Sequence, residues 1–165
     1  MDATPYLVEI GRQLGASGLE AVLIGNAAAA LQGAPVTTVD FDFLFRKTPR
    51  NLKKLKTLAG ALGATVLRPY YPVSDLYRVV RDDGLQLDFM GTIHGIRSFE
   101  GLRDRARPLR IEGVEILVAS LADVIKSKRA ARRPRDLAVV ELLEKALEEE
   151  TTRAAGNAGR GRSRK

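Results

Sequence analysis

Apolar positions along this chain recur first at helical spacing and then at strand spacing, and the alternation repeats to the end. Over residues 4–16, Leu7, Ile10 and Leu14 form one stripe. Thr4 is placed to cap that helix, Pro5 to occupy its first position, and Gly15 and Gly18 to close it. Residues 20–24 are short and mostly apolar, as a central strand requires. Gly25 breaks the run, Asn26 is a candidate cap, and residues 27–32 supply an alanine-rich helix able to pack close to a sheet. Residues 37–45 alternate, with Val39, Phe41, Phe43 and Phe45 on one side and Thr38, Asp40, Asp42 and Leu44 on the other. After Thr48-Pro49, Leu52, Leu55, Leu58 and Leu62 mark a helix over 50–62.

The second half continues the pattern. Residues 64–68 read as a short strand, and 76–81 with 85–90 as a hairpin about Asp82-Asp83-Gly84. Residues 98–106 form a short helix, and 110–111 with 114–118 a small hairpin about Glu112-Gly113. Ser120 to Asp123 is a capping-box variant opening a helix to about 132. Pro134 then breaks the chain before a helix over 135–149 with Leu137, Val140, Leu143 and Leu147 as its buried stripe. The expected class is α/β (α+β): a mixed β-sheet of about five strands flanked by helices, closed by a C-terminal helical pair.

Composition narrows this to one domain, residues 1–150, followed by a basic tail. The 165 residues carry a net charge of +7, but residues 151–165 hold five basic side chains and no acid, so the other 150 residues are at +2. That tail is too polar to bury a core and is expected to be disordered. It could add nonspecific attraction to nucleic-acid phosphates, although a solvated terminus is the simpler reading. There is no cysteine, which excludes disulfides and thiolate metal sites and suits a cytoplasmic location. No apolar run approaches a membrane span, and the N-terminus lacks the basic-then-apolar pattern of a signal peptide.

The candidate chemistry lies in two carboxylates. Asp40 and Asp42 are two apart on a strand, so they point the same way at roughly 6.6 Å separation. Like charges at that spacing repel, and a cation between them explains why a strand tolerates both. The turn at Gly25 and Asn26 brings backbone within reach of a phosphate. Asp88, in the second hairpin strand, becomes a third carboxylate if that strand lies beside the first pair. His94 is the only histidine, so zinc is not expected, and a loop histidine of this kind is more often a bystander. Lys47, Arg50, Lys53, Lys54 and Lys56 give the 50–62 helix a basic face, which solvation alone explains.

In order and spacing, Ile24-Gly25-Asn26, Asp40-Phe41-Asp42 and Asp88 resemble the polymerase-beta-like nucleotidyltransferase superfamily. The closer likeness is to small bacterial members akin to abortive-infection-type toxin nucleotidyltransferases. It rests on residues 33–42, Gly-Ala-Pro-Val-Thr-Thr-Val-Asp-Phe-Asp, and on 128–136, Lys-Arg-Ala-Ala-Arg-Arg-Pro-Arg-Asp. Asn26 stands where that pattern has Gly or Ser, and Val36 where it has Arg. The resemblance implies Asp40, Asp42 and Asp88 as catalytic residues holding two Mg²⁺ ions. It implies nucleotide and phosphate contacts from Gly25, Asn26, Thr38, Lys128, Arg133 and Asp136. The implied reaction moves a nucleoside monophosphate from an NTP to a hydroxyl on RNA, protein or a small molecule, with a toxin role and an antitoxin-like partner among the options. The alternative is a catalytically inert module of the same fold that binds a nucleotide or a partner protein.

Overall fold

In the computed structural model, which describes residues 2–38 and 40–162, two layers of helices flank one sheet. The elements are α1 (Thr4–Ser17), β1 (Ala21–Ile24), α2 (Gly25–Leu31), β2 (Phe41–Phe45), α3 (Pro49–Ala61), β3 (Thr65–Leu67), β4 (Tyr77–Val80), β5 (Gln86–Met90), α4 (Phe99–Arg105), β6 (Arg107–Ile111), β7 (Val114–Val118), α5 (Leu121–Ala131) and α6 (Pro134–Arg162). The sheet has seven strands in the order β3-β4-β5-β2-β1-β7-β6, more than the five or so expected, because both small hairpins extend its edges. It is mixed: β2 runs parallel to β5 and β1 parallel to β7, and the remaining pairs are antiparallel.

The centre of the sheet follows from the alternation in the sequence. Phe43 and Phe89 are register partners on β2 and β5, and their rings stack at 5.1 Å. Phe45 meets both Phe89 and Tyr77 edge-on at 6.0 Å. Burying each of the three phenylalanine rings contributes about 1.5–3 kcal/mol, and the ring pairs add to that. On the helices, Leu7 and Ile10 of α1 and Leu55 and Leu58 of α3 are buried as their stripes require. Gly11 lets α1 lie against β7, since a Cβ there would stand 2.4 Å from a Val114 methyl. Helix α2 packs on α5, and α5 on α6.

Several local expectations are corrected. Thr4 is the first residue of α1 rather than its cap; Ala3 stands at the cap position, and the Asp2 carboxylate before it accepts from the Thr4 N–H at 2.9 Å. Asn26 does not cap α2: the helix starts at Gly25 directly from the strand, and the Asn26 side-chain amide oxygen is buried with no hydrogen-bond partner among the described residues. Strand β2 begins at Phe41, which leaves Asp40 in the bend just before it; Val39 lies outside the described residues. Leu137 is half-exposed, and Val140, Leu143 and Ala146 form the buried stripe of α6. That helix does not stop near 149. It continues through residues 151–162, where a disordered tail was expected, and residues 151–160 are all exposed. The Thr151 and Thr152 hydroxyls bond back to the Leu147 and Glu148 carbonyls along it. No helix of the described residues is long and apolar enough to cross a membrane.

Candidate active site

One cleft of about 820 Å³ opens over the face of the sheet opposite the stacked phenylalanines. Gly25, Asn26, Thr38, Asp40, Asp42, Asp88, Lys128, Arg133 and Asp136 all line it. These residues lie on five separate segments, and the topology gathers them. Strand β1 delivers the Gly25 turn beside β2, since Ile24 is the register partner of Asp42. The parallel pairing of β2 with β5 then sets Asp88 directly beside Asp42, on the same face. Helix α5 and the start of α6 close the opposite wall.

Gly25 is required by geometry. Its φ of 67° lies in the left-handed region, and a Cβ at this position would stand 3.1 Å from Asp42 Oδ2. The turn therefore touches the carboxylate itself. Thr38 fixes the other acid from behind: its hydroxyl donates to the Asp40 carbonyl at 2.6 Å and accepts from the Asp40 N–H at 3.3 Å. The side chain expected to reach a phosphate is thus engaged in shaping the Asp40 bend.

Asp42 is electrostatically unbalanced in the cleft. Burial, reinforced by the negative charges of Asp88 and Asp40, pushes its carboxyl from an ordinary 3.8 up to about 6. Lys128 and Arg133 offset this through their charge, and among the described residues no hydrogen bond reaches the carboxylate. A half-buried carboxylate facing two like charges, with no donor to it among the described residues, is short of positive charge that a divalent cation held by Asp40 and Asp42 would supply. On that ground these two residues fit a Mg²⁺ ion.

The third acid differs from expectation. Asp88 is on the expected face, but both its oxygens are taken. Arg78 Nε donates to Oδ1 at 2.8 Å, and a second guanidinium nitrogen donates to Oδ2 at 2.9 Å. Arg78 on β4 is the antiparallel register partner of Asp88, so the pair is built into the hairpin. Accordingly, among the described residues no group of three or more His, Cys, Asp or Glu side chains is gathered as a metal-holding cluster. Arg78 also lies 5.7 Å from the Tyr70 ring, at the cleft rim. Neither residue stood out by motif, although the Asp82-Asp83-Gly84 turn fixes a register that pairs 78 with 88.

On the far wall, Asp136 gathers both expected cations. It accepts from Lys128 Nζ at 3.3 Å and from Arg133 Nε. Burial acts to raise the Asp136 carboxyl, but the Arg133 hydrogen bond and the two positive charges outweigh it and hold the group below 3.8. Ser127, Asp123 and His94 also line the cleft, and His94 is exposed at its edge. Gly95 seats that loop on α5: its φ is 77°, and a Cβ there would stand 2.9 Å from the Lys126 carbonyl oxygen.

Solved structures of the same fold include nucleotidyltransferases. ANT(2″)-Ia, solved with adenylyl-2″-tobramycin, aligns over 97% of this chain and 98% of its own, with a TM-score of 0.62 and 16% identity. The lincosamide antibiotic adenylyltransferase LnuA, solved with lincomycin, aligns over 88% of this chain and 98% of its own, at TM-score 0.61 and 13% identity. A Thermotoga maritima protein assigned as a nucleotidyltransferase aligns over 88% and 92%, at TM-score 0.57 and 22% identity. At these identities the likeness establishes the fold. No curated protein matches the sequence. The family model described as nucleotidyl transferase of unknown function (DUF2204) matches residues 4–156, and the chain belongs to that family.

Proposed function

We propose that the protein is a Mg²⁺-dependent nucleotidyltransferase that moves a nucleoside monophosphate from an NTP to a hydroxyl of a small-molecule acceptor. The observation that carries this reading is the Asp40/Asp42 pair. It lies against the Gly25 turn in a cleft whose opposite wall is cationic. A volume of about 820 Å³ suits a nucleotide with a small acceptor beside it. The antibiotic adenylylated on ANT(2″)-Ia and the one bound to LnuA are acceptors of that size class. RNA and protein acceptors, and a toxin role with an antitoxin-like partner, draw no comparable support from the cleft.

In this reaction the acceptor hydroxyl attacks the α-phosphorus in line, the bond to the bridging oxygen breaks, and pyrophosphate leaves with the electron pair. Asp40 and Asp42 would hold the Mg²⁺ ion, which when bound neutralises phosphate charge and lowers the pKa of the attacking hydroxyl. The chain's own residues do the positioning. Gly25, with no Cβ, lets backbone approach the polyphosphate next to Asp42. Lys128 and Arg133, fixed by Asp136, set positive charge where the leaving pyrophosphate gathers negative charge.

The Arg78 clamp on Asp88 favours a second reading, a nucleotide-binding module without turnover. The two separate in one assay. The protein is incubated with each labelled NTP, Mg²⁺ and panels of hydroxylated small molecules and RNAs, beside an Asp40→Ala/Asp42→Ala variant. Label transferred by the wild type and lost in the variant supports the enzyme. Nucleotide binding without transfer to any acceptor supports the module.

A further inference from the structure

Three side chains form a row across the cleft floor. Asp42, Asp88 and Arg78 are consecutive register partners on β2, β5 and β4, and neighbouring strands are about 4.8 Å apart. They therefore emerge side by side from one face of the sheet. Three acids drawn together at such a floor carry three negative charges and would attract two divalent ions. Here the row ends in a guanidinium. Arg78 grips Asp88 in the planar two-point geometry that is the strongest arginine–carboxylate contact. Asp88 is buried, and the Arg78 side chain is only 23% exposed, so solvent screens the pair little. Three carboxylates with one guanidinium leave two net negative charges, the charge that a single divalent ion balances.

We propose that Arg78 is a built-in counter-cation that occupies the place of a second metal ion, so that the site takes one divalent cation, on Asp40 and Asp42. This deepens the nucleotidyl-transfer reading and rests on it. Arg78 is a positioning residue: it holds Asp88 away from the ion and fixes a permanent positive charge beside Asp42. Unlike a second ion, that charge is present before any substrate binds and does not leave with product. The guanidinium cannot be deprotonated at working pH, and its contact with Asp88 raises its pKa further.

The test counts ions. The full chain, stripped with chelator, is titrated with Mn²⁺ alone, and bound metal is followed by electron paramagnetic resonance and calorimetry. The wild type is expected to bind one Mn²⁺ ion, Arg78→Met two, and the Arg78→Met/Asp88→Asn double variant one again. Asp88→Asn alone is expected to keep one ion with affinity within about threefold of the wild type. Two ions on the wild type would overturn the proposal while leaving nucleotidyl transfer standing. So would one ion on Arg78→Met. Zero ions on the wild type would instead remove the Asp40/Asp42 cation site and the function built on it. Should Arg78→Met fail to fold, Asp88→Asn decides: a tenfold or greater loss of Mn²⁺ affinity would make Asp88 a ligand and sink the idea.

Discussion

Asp42 stores folding energy that the metal-free protein gives up, and replacing it with asparagine should release it. In the unfolded chain this carboxyl ionises near 3.8; in the cleft it ionises near 6, because burial and the neighbouring Asp88 and Asp40 charges oppose the anion. Below 3.8 both states are protonated and the residue is neutral with respect to stability. As pH rises from 3.8 to 6, the unfolded chain loses its proton first, so folding stability falls, and above 6 the full cost is present. At 1.36 kcal/mol per pH unit that cost is about 3 kcal/mol. Asp42→Asn removes the charge and, since no hydrogen bond among the described residues reaches the carboxylate, little else. Urea denaturation in chelator should therefore show the variant gaining on the wild type by about 2 kcal/mol between pH 4 and pH 8. By melting, about 3 kcal/mol at pH 8 corresponds to roughly 6–12 °C. Mg²⁺ should raise the wild-type midpoint and leave that of the variant nearly unmoved. A stability difference that does not change with pH, or a variant less stable than the wild type at pH 8, would refute the electrostatic account of this cleft.

Gly25→Ala forces a Cβ into a left-handed residue 3.1 Å from Asp42 Oδ2, and should lower stability by about 1–2 kcal/mol and weaken Mn²⁺ binding in the same titration. Asp136→Ala strands Lys128 and Arg133 against the wall of the cleft and should cost about 3–5 kcal/mol at neutral pH by urea denaturation. Because the folded state holds Asp136 below its ordinary value, that stabilisation is present above 3.8 and fades as pH falls below it; a cost unchanged down to pH 2 would contradict the ion-pair explanation. Gly95→Ala should loosen the loop carrying His94, read as faster amide exchange over residues 91–96, since the new methyl meets the Lys126 carbonyl and Ala130.

The face on which Asp42 and Asp88 meet could be read from the chain because a strand has a period of two and each acid sits among apolar neighbours that choose the opposite side. The Gly25 turn was legible for a similar reason, a lone glycine ending an apolar run. Arg78 was not, although the hairpin about Asp82-Asp83-Gly84 contains its register, because an arginine on a strand belongs to no acidic motif and gains its meaning only from the partner across the ladder. Asp40 lies outside β2 because Thr38 holds its backbone in a bend, a contact between neighbours that alternation cannot foresee. Asn26 was read as a cap by type, yet helix α2 starts one residue earlier. Composition likewise underestimated α6. Its last turns bury nothing, but each adds backbone hydrogen bonds to a helix already nucleated by Val140, Leu143 and Ala146.

The proposed reaction cuts a nucleoside triphosphate between its α- and β-phosphates and passes the α-phosphate on. Parallel reactions with α-labelled and γ-labelled NTP, Mg²⁺ and a hydroxylated acceptor test it directly. The α-label should move to the acceptor while the γ-label appears in pyrophosphate, both only when Asp40 and Asp42 are intact. Label from the γ-position on the acceptor, or transfer that survives the Asp40→Ala/Asp42→Ala substitution, would contradict it.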